Sequence, residues 1–128
     1  MAHATQPRIL LVDDNELIRE MAADILQDER YQVAQAGDAQ EALAQLQQSG
    51  RFDLLLSDIR LPGMSGRELA DVARRLDPDL PIVFMTGYAE EALKRDDFLG
   101  RGMALLRKPF SLAELRRQVR EALAAPRD

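Results

Sequence analysis

The chain of 128 residues carries a net charge of −5 and no cysteine. That length suits one domain with a real core. The charge argues against non-specific nucleic-acid binding, which needs cations for the phosphates, and the lack of Cys excludes disulfides, thiolate metal sites and a Cys nucleophile. Apolar residues make up 46 % and charged residues 30 %, a globular balance. No apolar stretch approaches the roughly 20 residues that span a bilayer. The absence of Cys fits a reducing compartment, so a cytoplasmic location is expected.

Residues 1–7 lack the basic region and apolar stretch of a signal peptide. They read as a disordered tail, His3 included. Ile9-Leu10-Leu11-Val12 is a short apolar run of buried-strand type, ending at Asp13-Asp14. A helix follows, with Asn15 as cap and Leu17, Ile18, Met21, Ala22, Ile25 and Leu26 at helical spacing. Tyr31 to Ala36 is a weak second strand ended by Gly37. Asp38 caps a helix carrying Ala39, Ala42, Leu43 and Leu46, stopped near Ser49-Gly50. Leu54-Leu55-Leu56-Ser57 is a third strand ending at Asp58, and Pro62-Gly63 marks a turn in the loop Ile59 to Gly66.

A third helix carries Leu69, Val72, Ala73 and Leu76 and ends before Pro78. The fourth strand, Ile82-Val83-Phe84-Met85, ends at Thr86. A helix is expected over Ala89 to Phe98, then a fifth strand, Met103 to Arg107, ending at Lys108. The last helix carries Leu112, Leu115, Val119 and Leu123, with Ser111 and Glu114 as a capping box. The arginines at 74–75 and 116, 117 and 120 read as solvated helix faces, with an acidic partner surface as the alternative. The Met residues after Met1 read as core filler. Alternating strands and helices argue for βαβ units and a parallel sheet, an α/β fold in one domain over 8–124.

In an open parallel sheet, ligands bind outside the carboxyl ends of the strands. Asp13, Asp14, Asp58, Thr86 and Lys108 therefore converge on one crevice. Like charges about 5 Å apart repel by roughly 3 kcal/mol per pair at an effective dielectric near 20. Protons or a cation must offset three carboxylates. Oxygen donors suit Mg²⁺, Mn²⁺ or Ca²⁺, and Mg²⁺ keeps waters and leaves room for phosphate oxygens. Lys108 supplies a point charge and Thr86 a rotatable hydroxyl, a cradle for a phosphoryl group on a carboxylate. Taken singly, Asp13-Asp14 would be a solvated turn, Asp58 or Thr86 a helix cap, and Lys108 an exposed cation. Their shared place at strand ends favours function.

From about Arg8 to Leu123 the chain resembles the receiver domain of two-component response regulators. The matching residues are Leu11-Val12-Asp13-Asp14-Asn15, Leu56 to Gly66, Met85-Thr86-Gly87 and Lys108-Pro109-Phe110. The resemblance implies a doubly wound, flavodoxin-like sheet of five parallel strands in the order 2-1-3-4-5. It implies Asp58 as phosphoacceptor, taking a phosphoryl group from the phosphohistidine of a sensor histidine kinase or histidine phosphotransfer protein. It also implies Mg²⁺ held by Asp14, Asp58 and the carbonyl of Arg60, with Asp13 acting mainly through water. Thr86 and Lys108 would bind phosphoryl oxygens, and the Lys108–Pro109 peptide would be cis. Such a domain is a signalling module and not an enzyme beyond its own phosphotransfer and dephosphorylation. It implies no nucleic-acid or membrane contact and leaves a homodimer open.

Three positions depart from the pattern or tune it. Leu105 stands where the family usually has Tyr or Phe, which keeps open a degenerate receiver that binds partners without phosphorylation. Arg60 and Tyr88 fall where the family tunes phosphoryl lifetime. A phosphohydrolase of the haloacid dehalogenase type would need a second Asp two residues after the nucleophile, where Arg60 stands. The run Gly102 to Phe110, with Met85-Thr86-Gly87-Tyr88-Ala89 upstream, resembles especially the C-terminal receivers of hybrid sensor kinases, which slightly favours an excised receiver over a free-standing one.

Overall fold

The structure, a computed structural model, describes residues 6–48, 51–87 and 99–124. Five parallel strands, β1 (Arg8–Val12), β2 (Gln32–Ala36), β3 (Leu54–Asp58), β4 (Ile82–Thr86) and β5 (Met103–Arg107), form one sheet in the order β2-β1-β3-β4-β5. The central strands explain their own composition. Leu54, Leu55 and Leu56 are all buried because β3 has helices on both faces, so an unbroken apolar run is required. The edge strand β2 is only partly buried, which is why its sequence signal is weak.

Side chains alternate between two cores with the period of the pleat. Leu10, Val12, Leu55, Ile82 and Phe84 pack with Ala42 of α2 (Ala39–Gln48) and with Leu69, Ala70 and Ala73 of α3 (Gly66–Leu76). Ile9, Leu11, Leu54, Leu56, Val83 and Met85 pack on the other face. Their partners are Ala22, Ala23, Ile25 and Leu26 of α1 (Glu16–Asp28) and Leu115 and Val119 of α4 (Leu112–Ala124). The sheet is thus doubly wound, as expected.

Helix starts follow the expected chemistry. Asn15 Oδ1 accepts the Ile18 N–H, Asp38 Oδ1 accepts the Glu41 N–H, and Ser111 and Glu114 close a reciprocal box. A second box, Ser65 with Glu68, starts α3 directly after the Pro-Gly turn.

Two readings need correction. Leu17 and Met21 are 78 % and 49 % exposed, because the buried face of α1 is the Ala22–Leu26 side; Met21 is not core filler. Arg74 is not merely solvated: its Nε donates to the Leu80 carbonyl at 2.7 Å and its Nη2 to the Arg101 carbonyl at 2.7 Å. Arg116 and Arg120 pair with Glu29, the residue that caps the C-terminus of α1.

The expected helix at 89–98, Tyr88, the helix stop at 49–50 and most of the proposed tail lie outside the described residues. Of the tail, Pro7 offers its carbonyl to the Gln32 N–H at 2.9 Å. Among the described residues no helix is long and apolar enough to cross a membrane.

Candidate functional site

The winding of the chain reverses between β1 and β3: β2 lies to one side of β1, and β3, β4 and β5 follow on the other. Loops on either side of such a switch point diverge and leave a crevice at the carboxyl ends. Asp13 follows β1, Asp58 closes β3, Thr86 closes β4 and Lys108 follows β5, so four adjacent strands deliver their polar ends to one place.

One carboxylate oxygen from each of Asp13, Asp14 and Asp58 lies within 4.8 Å of the others. Asp13 is wholly buried, Asp14 is exposed and Asp58 is half-buried. The Lys108 ammonium donates to Asp13 Oδ2 at 2.9 Å and to Asp58 Oδ2 at 3.0 Å. The remaining oxygens also have donors: the Asn15 N–H reaches Asp13 Oδ1 at 2.9 Å, and the Arg60 N–H reaches Asp58 Oδ1 at 3.3 Å. Thr86 is buried beside them, and its carbonyl accepts the Lys108 N–H at 2.8 Å, tying the ends of β4 and β5 together. The Lys108–Pro109 peptide is cis.

The electrostatics follow from this crowding. Burial pushes the Asp58 carboxyl above its ordinary 3.8; Lys108 pulls it back, and the nearby Asp13 charge adds to the rise. Burial alone would lower Lys108. Its hydrogen bonds to Asp13 and Asp58 outweigh burial and hold it above its ordinary 10.5. Lys108 is therefore a fixed ammonium at neutral pH. One ammonium does not balance three carboxylates. An all-oxygen donor set with one buried and one exposed member fits a hard divalent cation that keeps several waters, such as Mg²⁺.

The backbone around Asp58 is built to narrow limits. The Gly66 N–H donates to the Ile59 carbonyl, and a Cβ on Gly66 would stand 2.0 Å from the Asp58 carbonyl oxygen. Only glycine lets the start of α3 close against the end of β3. Leu105 is half-buried, opposite Phe84 in the ladder, and packs on the core shared with α2 and α3. Gly66 was legible only as part of a loop motif. Arg19, whose Nη1 donates to the Asp13 carbonyl at 2.9 Å, was not legible, because on a helix its pattern is that of a surface charge.

The family model for the response regulator receiver domain matches residues 9–120. CpdR, a response regulator receiver protein of Brucella abortus (strain 2308), is 39 % identical over 118 residues, covering 92 % of this chain and 98 % of CpdR. The sensor kinase CckA of the same organism is 35 % identical over 116 residues, 90 % of this chain but 12 % of the kinase. Among solved structures, the response regulator TrrA of Thermotoga maritima, in complex with Mg²⁺-BeF, superposes with a TM-score of 0.80 at 33 % identity, covering 91 % of this chain and 99 % of that one. With its acidic cluster at the switch point of a 2-1-3-4-5 sheet, the chain belongs to the response regulator receiver domain family, a signalling module rather than a class of enzymes.

Proposed function

We propose that the domain, taken as 8–124, accepts a phosphoryl group on Asp58 from the phosphohistidine of a sensor histidine kinase or histidine phosphotransfer protein. The observation that carries this reading is the half-buried Asp58 carboxylate, flanked by two further carboxylates and anchored by Lys108. The match to a sensor kinase and the Mg²⁺-BeF complex of TrrA support it.

An oxygen of Asp58 attacks phosphorus, and the P–N bond breaks with its electron pair returning to the imidazole. The product is an acyl phosphate, which water later cleaves to the carboxylate and inorganic phosphate. Asp14, Asp58 and the Arg60 carbonyl would hold Mg²⁺, and the wholly buried Asp13 would act mainly through water. The metal when bound offsets the charge that accumulates on the phosphoryl oxygens. Lys108 already bridges Asp13 and Asp58, so it needs to move little to hold a phosphoryl oxygen. Thr86 supplies a hydroxyl from the neighbouring strand end. Arg60, joined to Asp58 through its N–H, stands where phosphoryl lifetime would be set.

Incubation with acetyl phosphate and Mg²⁺, followed by intact-mass spectrometry, tests the proposal. One phosphoryl group is expected on the wild type and none on Asp58→Asn. A wild type that gains no mass, even with its kinase, supports instead the phosphorylation-independent module that Leu105 suggests.

A further inference from the structure

We propose that Arg19 is a positioning residue for the acidic pair. It holds the peptide between Asp13 and Asp14 so that the Asp14 carboxylate is presented to a divalent cation. This inference rests on the metal-assisted reading of the site. Arg19 belongs to the start of α1, and helical side chains lean toward the N-terminus of their helix, back over the end of β1. Its Nη1 donates to the Asp13 carbonyl at 2.9 Å, and its Nε donates to Gln35 Oε1 on β2 at 3.1 Å. Gly37 leaves room for the guanidinium: a Cβ there would stand 3.3 Å from Nη1.

Every other polar group of Asp13 is held by something else. Its N–H donates to the Ala36 carbonyl at 3.1 Å, Oδ1 accepts from the Asn15 N–H, and Oδ2 accepts from Lys108. The carbonyl is the group that Arg19 holds, and it lies in the peptide plane that leads into Asp14. Rotation of that plane swings Asp14 while leaving the Asp13 carboxylate pinned. Asp14 is the exposed member of the cluster, so its direction depends most on its backbone. Loss of a partner that orients a metal ligand without touching the metal typically costs about 10–100-fold in metal affinity.

The alternative is that Arg19 only ties α1 to β2. Gln35→Ala removes that tie and leaves the bond to Asp13. Calorimetric Mg²⁺ titrations of wild type, Arg19→Ala and Gln35→Ala, with melting in EDTA as the stability control, separate the two. Arg19→Ala is expected to raise the Mg²⁺ Kd about tenfold or more, while Gln35→Ala stays within about twofold. Ala is a good helix former, so α1 itself is not weakened. If Arg19→Ala does not fold, Arg19→Gln carries the same expectation. Wild-type affinity in the Arg19 variant, or an equal loss in Gln35→Ala, overturns the proposal. A wild type that binds no Mg²⁺ overturns the reading beneath it, a distinguishable result.

Discussion

Asp58 shows how one residue can be made costly on purpose. Burial holds its carboxyl above 3.8, so the folded state binds its proton more tightly than the unfolded chain does. Stability therefore falls as pH rises from about 3.8 through the raised value, and the penalty persists at neutral pH. Asp58→Asn removes that penalty and keeps an oxygen acceptor for Lys108. In metal-free buffer at pH 7 the variant is expected to melt at a higher temperature than wild type. Below pH 3.8 the gap should close, as differential scanning calorimetry across the range would show. Lys108 works the other way. Its raised pKa adds stability that is complete below about 10.5 and is lost only at higher pH, outside the working range.

Among the elements, α3 does more than cover the sheet. Ser65 and Glu68 start it, Gly66 sets its approach to Asp58, and Arg74 near its end binds the carbonyls of Leu80 and Arg101. Arg74 thereby ties the turns that lead into β4 and β5, at the edge of the sheet away from the site. Leu80 is buried, so its carbonyl has no ready replacement donor. Arg74→Ala should cost about 1–3 kcal/mol, read as a lower urea midpoint. Arg74→Lys should recover little of it, since one ammonium does not span two carbonyls as the planar fork does. The sequence marks Arg74 and Arg19 alike as helix-surface cations. Periodicity reports which face a residue leaves from, not where a long side chain ends. The caps at Asn15, Asp38 and Ser111 were legible because their partners lie three residues away, within the reach of local chemistry.

Across the whole molecule, a divalent cation held by the acidic cluster would couple metal, proton and fold through the crevice. Binding to the folded state alone adds about 2.7 kcal/mol when free ligand is 100 times Kd. Saturating Mg²⁺ should therefore raise the melting temperature of wild type at pH 7. The gain should shrink as pH falls through the raised pKa of Asp58, because a proton then competes for the same oxygen. A thermal shift that does not change with pH would contradict this coupling. By itself the sequence determined the strands, their order along the chain, most of the caps and the polar residue at each strand end, since all of these follow from local pattern. Neighbours in the sheet are another matter. Apolar runs state that a strand is buried but not beside which partner, and the order 2-1-3-4-5 came from resemblance rather than periodicity. Only the tertiary structure decided that Lys108 bridges Asp13 and Asp58, that Gly66 touches the Asp58 carbonyl and that Arg19 holds the Asp13 carbonyl. These are contacts between distant stretches of chain, and they exist only once the doubly wound sheet has set the strand ends side by side.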